Sequence, residues 1–324
     1  MTALPRKAVV TGGAGLIGSH VVELLATAPD APDEIVVVDD LSRGRVENLA
    51  GALRTGRVRL VRGDVRDADL VRDVVAGAGV VFHMAAIRIT RCAEEPELAV
   101  DVLVNGTHRV VAAVADAGGR LVFSSSASVY GAAEQFPTSE RHHPWGDRTL
   151  YGAAKTFGEG LLRSYADMAG LDFVALRYFN VYGPRMDTEG RYTEVFIRWM
   201  EAIERGDPPM VFGDGATTMD LVYVEDVARA NLCAARAERA SGGSYNIGTA
   251  TETSLVELAA ALAAAMQRPM APVFGPERKV NAVPRRLAEV SAATRDLDFS
   301  ATVGLDEGLS RLVAWWRAAR ALAS

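Results

Sequence analysis

Six short apolar runs, rich in β-branched residues, most restrict what this 324-residue chain can fold into. They lie at residues 8–11, 34–38, 58–61, 80–83, 120–124 and 173–177. Between them apolar residues recur at helical spacing, as at 17–25, 98–117 and 151–168. Strands that are apolar on both faces and alternate with helices belong to a parallel sheet covered on both sides. The expectation is an α/β fold built on a Rossmann-type doubly wound parallel sheet. Beyond residue 178 the alternation fails, and Gly183-Pro184, Asp207-Pro208-Pro209, Gly213-Asp214-Gly215 and Gly275-Pro276 punctuate shorter elements. Residues 1–178 are therefore expected to form the doubly wound domain, with 219–250 returning to it in part. Residues 179–218 and 251–324 are expected to form a smaller mixed α/β domain.

A hydrophobic content of 49% suffices for a large core, and a net charge of −6 argues against nucleic acid or an anionic membrane as the main partner. Cys92 and Cys233 are far apart and have no metal-ligand spacing, which reads as a reduced pair. His142-His143 has no further ligand cluster nearby, so no metal is expected. The first residues lack a signal-peptide pattern, and no apolar run approaches the ~20 residues of a membrane span. A cytoplasmic protein is the expectation.

Thr11-Gly12-Gly13-Ala14-Gly15-Leu16-Ile17-Gly18 joins the first apolar run to the first helical stretch. Gly12 and Gly13 permit a tight turn, Gly15 lets backbone approach a pyrophosphate, and Gly18 lets the helix pack on the sheet. The helix start at Leu16 and Ile17 then offers free N–H groups and a positive dipole end to phosphates. Asp39 follows the second run, about 20 residues beyond Gly18, where a carboxylate accepts hydrogen bonds from both adenosine ribose hydroxyls. It would also repel a 2′-phosphate, which favours NAD over NADP, although Arg43 and Arg45 stand nearby. Asp64, with Val65, follows the third run and either faces the adenine or caps a helix at 68–75. Ala85 and Ala86, after the fourth run, leave room for a cofactor.

Tyr151 and Lys155 stand four residues apart, on one helix face. A free tyrosine has a pKa near ~10 and is a poor base at neutral pH. A lysine one turn away, together with a positive nicotinamide ring, would stabilise the phenolate. The fifth run continues into Ser124-Ser125-Ser126, at the carboxyl edge of a parallel sheet, where open α/β sheets bind ligands. A serine there can hydrogen-bond a substrate oxygen while Tyr151 handles its proton.

TGGAGLIGSH (11–20), SSSASVYG (124–131), YGAAK (151–155), RYFNVYGPR (177–185) and FGDG (212–215) occur in that order. With them the chain resembles, over nearly its whole length, the extended short-chain dehydrogenase/reductase family, especially its NAD-dependent sugar-nucleotide epimerases of the UDP-glucose or UDP-glucuronate 4-epimerase kind. The resemblance implies an enzyme that epimerises a nucleotide-diphosphate sugar at C4. Tyr151 would take a proton from a sugar hydroxyl while its carbon delivers hydride to NAD. The ketone would turn over, and hydride would return to the other face. The resemblance also implies Ser126 as the hydroxyl partner, with Ser125 as the adjacent alternative. Lys155 would hold the nicotinamide ribose, with Ser124 and Tyr178 also at the cofactor. Related 4,6-dehydratases and decarboxylases carry acidic residues just before VYG, whereas Ser126-Ala127-Ser128 has none. Elimination needs a general acid that this segment does not supply.

For the substrate, the resemblance implies Asn180 at the sugar diphosphate, Ser128 beside the sugar, and Arg185 on a phosphate or uronate carboxylate. A late arginine, Arg285 or Arg286, would hold a phosphate. Ile87-Arg88-Ile89-Thr90-Arg91 adds two cations beside the cofactor cleft, Arg88 among the candidate substrate contacts. The chain departs from the family pattern at Met219-Asp220-Leu221, where Arg-Asp-Phe is usual, and at Leu103, where relatives often have asparagine. In relatives the helices at 98–117 and 151–168 form an intersubunit four-helix bundle, which implies a homodimer. Trp315-Trp316 is expected to pack or cap the smaller domain. Competing readings are a net NAD-dependent dehydrogenase or ketoreductase, a dehydratase, and a catalytically inactive NAD-binding regulatory module. Retention of Ser126, Tyr151 and Lys155 argues against the last.

Overall fold

A computed structural model describes residues 2–188, 194–276 and 283–323. Each of the six apolar runs is a strand: β1 Lys7–Thr11, β2 Glu34–Asp39, β3 Val58–Arg62, β4 Val80–His83, β5 Arg120–Ser126 and β6 Asp172–Tyr178. Further strands follow: β7 Asn180–Tyr182, β8 Met210–Phe212, β9 Thr218–Tyr223, β10 Gly243–Ile247, β11 Glu252–Ser254 and β12 Val273–Gly275. The main sheet has seven strands in the order β10-β6-β5-β4-β1-β2-β3, every pairing parallel.

Alternation along each strand builds two cores. Val10, Val37, Phe82, Val122 and Val174 pack with the helices Leu16–Thr27 and Val224–Arg236. Val9, Val36, Val81, Leu121 and Phe173 pack beneath Ala68–Val75, Thr107–Ala117 and Leu150–Ala169. The chain leaves β1 for one face and β4 for the other. A crevice therefore opens between their carboxyl ends, the place where doubly wound sheets bind ligands.

Of residues 219–250, β10 and the helix Val224–Arg236 lie on the main sheet, whereas β9 pairs with β7 and β11 outside it. A third core, around Trp199, Met200, Leu258, Leu312 and Trp316, joins the helices Val195–Arg205, Leu255–Ala265 and Leu305–Ala323.

The stretch expected as one helix at 98–117 is observed as Pro96–Val100 and Thr107–Ala117 joined by a π-helical segment, Asp101–Gly106. By length and composition Pro96–Ala117 could cross a membrane, but half of its apolar window is buried inside the protein. Val110, Val111 and Val114 pack into the core beneath the sheet, and Ala99 and Leu103 pack with Ala154 of the helix Leu150–Ala169.

Candidate active site

The glycine turn fits a pyrophosphate cradle. Gly12 has φ +67°, and a Cβ there would lie 2.7 Å from the Ala85 backbone nitrogen, so only glycine lets the turn meet the loop after β4. A Cβ on Gly18 would lie 2.3 Å from the Gly12 carbonyl oxygen, which explains why the helix can start so close to the turn. The helix Leu16–Thr27 has no side-chain cap at Gly15, leaving its first N–H groups for an anion. Asp39 is buried at the end of β2. Its carboxylate accepts from the N–H groups of Ala14 and Leu41, each at 2.9 Å, and each oxygen keeps a further lone pair for a ribose hydroxyl. Burial pushes its pKa up against those two hydrogen bonds.

These residues line a cleft of about 670 Å³ with Leu16, Ile17, Asp64, Val65, Ala85, Ala86, Ser124 and Tyr151. The helix Ala68–Val75 is capped by Asp67, which leaves Asp64 facing the cleft with Arg66 bound to it at 2.7 Å. Donors, acceptors and shape along this cleft suit a dinucleotide.

At its far end the helix Leu150–Ala169, capped by Thr149, carries Tyr151 and Lys155 one turn apart. Burial pushes the Tyr151 phenol up to about 12, against the nearby Ser126 hydroxyl, which favours the phenolate. The Lys155 ammonium donates to the Ser124 carbonyl at 2.7 Å and lies 5.7 Å from the centre of the Tyr151 ring. Burial brings Lys155 down to about 8. The ammonium is turned to that backbone carbonyl rather than to the phenol oxygen. The groups that favour the phenolate here are the Ser126 hydroxyl and the charge of Arg286.

Two expectations are corrected. Ser125 points to the opposite side of β5 from Ser124 and Ser126, because side chains alternate along a strand. Its hydroxyl donates to Glu159 at 2.6 Å, away from the cleft. Tyr178, opposite Ser126 in the β5–β6 register, donates to Asn231 at 2.9 Å and lies in the core behind the site rather than on the cleft.

Glu159 in turn holds Arg177 through two hydrogen bonds, and Arg177 reaches the Tyr130 hydroxyl at 2.8 Å. None of the sequence motifs announces this buried pair. Its signal was an acid four residues beyond Lys155 on a helix that should have been apolar on that face.

Ser128 sits in the turn Ala127–Val129 and donates its N–H to the Ser126 hydroxyl at 3.1 Å. Asn180 on β7 meets Met219 on β9, amide to thioether at 3.2 Å, while its carbonyl oxygen is buried without a hydrogen-bond partner. Arg285 is engaged by Glu252 at 2.7 and 2.8 Å, which singles out Arg286 as the late arginine whose charge acts on Tyr151. Arg88 and Arg185 line the cleft, where Arg88 pairs with Glu194 at 2.5 Å and Arg185 with Glu23. Leu103 joins Ile87, Cys92 and Ala154 in an apolar layer against Tyr151. His142 accepts from the Glu134 N–H at 3.0 Å, and the described residues hold no cluster of metal-ligating side chains.

Residues 8–248 match the model of the NAD dependent epimerase/dehydratase family. The chain belongs to that family. It is 37% identical to a UDP-glucose 4-epimerase of Mycolicibacterium smegmatis, covering 96% of this chain and 98% of the relative. A dTDP-glucose 4,6-dehydratase of an Actinoplanes species is 33% identical, covering 97% and 98%. The crystal structure of a UDP-glucose 4-epimerase of Thermotoga maritima with UDP-glucose superposes with a TM-score of 0.88. It is 33% identical and covers 97% of this chain and 99% of that one. NAD is the cofactor of the family, and the glycine turn and Asp39 of this member are built to receive it. Its members include both epimerases and dehydratases at similar identity, so membership establishes NAD-dependent chemistry and leaves the outcome to the site.

Proposed function

We propose that this family member is a redox-neutral epimerase of a nucleotide-diphosphate sugar, acting at C4. The observation that carries the reading is the Ser126 hydroxyl beside Tyr151, where it favours the phenolate, in a segment, Ser126-Ala127-Ser128, that contains no carboxylate. Bound NAD supplies the hydride acceptor and donor, and a positive ring beside Tyr151. Tyr151 Oη takes the proton of the sugar hydroxyl and later returns it. Ser126 Oγ hydrogen-bonds the same oxygen, holding it in line for that transfer. Lys155, locked to the Ser124 carbonyl, fixes the floor of the nicotinamide end. Asn180 and Arg286 face the substrate from residues outside the main sheet, and residues 179–218 and 251–324 are read as the substrate domain.

Incubating the pure protein with UDP-, dTDP-, GDP- and CDP-linked hexoses and uronic acids tests this reading. One of them should interconvert with its C4 epimer without net change in NADH absorbance and without deuterium uptake from heavy water. Net NADH formation, or deuterium in the product, would rule out the epimerase.

The two serines should separate cleanly. Ser126→Ala is expected to lower kcat about 10²-fold or more through loss of a hydrogen bond to the reacting oxygen. Ser125→Ala should act mainly on stability, costing about 1–3 kcal/mol because a buried, charged Glu159 oxygen loses one of its two donors and keeps only Arg177. Chemical denaturation beside kinetics decides this, and equal kcat losses would contradict the assignment.

The reading includes a homodimer through the helices Pro96–Ala117 and Leu150–Ala169. Val100, Phe157 and Met168 on them are 41%, 46% and 79% exposed, an apolar face that a second copy would cover. Phe157→Glu should shift the sedimentation coefficient to that of a monomer. A variant that stays dimeric would place the interface elsewhere.

A further inference from the structure

We propose that His83 is a positioning residue for the cofactor: through the Thr11 hydroxyl it fixes the Ala85 amide against the glycine turn, and so sets how tightly NAD is held. Thr11 ends β1 and His83 ends β4, and the two are partners in the parallel register. Their side chains stand on the same face of the sheet, that of the helix Thr107–Ala117, and both are buried. The Thr11 hydroxyl oxygen accepts the N–H groups of Met84 at 3.2 Å and Ala85 at 3.3 Å. A hydroxyl has two acceptor sites and one proton. Both acceptor sites are filled, so the proton goes to His83 Nδ1, 2.8 Å away. The imidazole is then neutral with its own proton on Nε2, which donates to the Thr107 hydroxyl at 3.1 Å. Burial and the Lys155 charge favour that neutral ring.

Each end of this chain of hydrogen bonds meets the cleft. The Met84 N–H also reaches the Thr11 carbonyl at 3.1 Å, whereas the Ala85 N–H is held by the hydroxyl. The Ala85 amide is the group against which Gly12 packs, so close that a Cβ on Gly12 would lie 2.7 Å from its nitrogen. Ala85 and Ala86 line the cleft, so a displaced Ala85 amide moves the floor beside the glycine turn. At the other end Thr107 opens its helix just after Gly106, where a Cβ would lie 2.9 Å from Val65 Cγ2. Val65 lines the cleft as well. His83 itself does not line it. It braces the glycine turn through Thr11 and touches neither cofactor nor substrate. The inference rests on NAD lying in this cleft.

Calorimetric titration of the NAD-free protein with NAD tests this. Thr11→Val and His83→Leu remove the polar atoms with little change of volume, and each should weaken NAD binding about tenfold. Because both act on one amide, the double variant should also lose about tenfold rather than the product of the two losses. Thr11→Ser keeps the hydroxyl and His83→Asn keeps an acceptor beside it, so both should bind within about threefold of wild type. Exchange of the Ala85 amide proton in the NAD-free protein should quicken in the first two variants and not in the second two. Should His83→Leu fail to fold, Thr11→Val against Thr11→Ser, with His83→Asn against wild type, decides the same point. Losses that multiply in the double variant, unchanged affinity in Thr11→Val, or a tenfold loss in Thr11→Ser overturn the inference. Asp39→Ala tests the cleft: intact affinity there takes the cofactor reading down with it, whereas lost affinity beside an unaffected Thr11→Val removes only the role of His83.

Discussion

Tyr151→Phe is expected to reduce kcat by about 10²–10⁴-fold while NAD still binds and Tm stays put. The substitution removes one oxygen, the atom assigned to carry the proton, and nothing else. The ring remains packed against Ile87, Cys92, Leu103 and Ala154, so the cleft should keep its shape. Because that oxygen acts in the transition state, kcat and kcat/KM should fall together, with KM little changed. Epimer formation followed by NMR, with NAD content and a thermal melt on the same sample, checks this. Turnover within tenfold of wild type would remove Tyr151 from the mechanism.

Acid should destabilise the NAD-free protein well before its carboxylates titrate. His83 is buried between the hydroxyls of Thr11, at 2.8 Å, and Thr107, at 3.1 Å, and burial with the Lys155 charge brings its pKa down to about 3. His20 is buried on the helix after the glycine turn, where burial and the charge of Arg185 bring it down to about 4. Both folded values lie below the unfolded value near ~6.5. Between those limits the unfolded chain binds more protons, so stability rises with pH there and falls as the pH drops. The contribution is complete above pH ~6.5 and is lost through the window down to about 3–4. Each histidine contributes up to about 1.4 kcal/mol per pH unit, or about 2 kcal/mol between pH ~6.5 and ~5. Guanidinium unfolding at those two pH values measures it, and His83→Gln or His20→Gln should flatten the slope whatever it does to absolute stability. An unflattened slope would show that neither histidine is held neutral.

Much of the site was legible before any tertiary contact was known. The six strands come within two residues of their expected ends because the apolar runs and the turns between them are local signals. The glycine turn, Asp39 at the strand end, and Tyr151 with Lys155 one turn apart were legible for the same reason. Each depends on the geometry of one strand, one turn or one helix.

Partner choice was not legible. That Ser126 and not Ser125 is left for Tyr151 is decided by packing: the helix Leu150–Ala169 covers the Ser125 side of β5, where its Glu159 takes that hydroxyl. Arg88 and Arg185 look in the sequence like free anion-binding cations. Only the fold brings Glu194 to one of them and Glu23, 162 residues away, to the other. Arg285 and Arg286 are neighbours of equal chemistry until Glu252 takes the first. Local backbone geometry writes spacing into the chain itself, whereas the partner of a charged side chain is decided by whichever distant group the packed sheet and helices carry within reach.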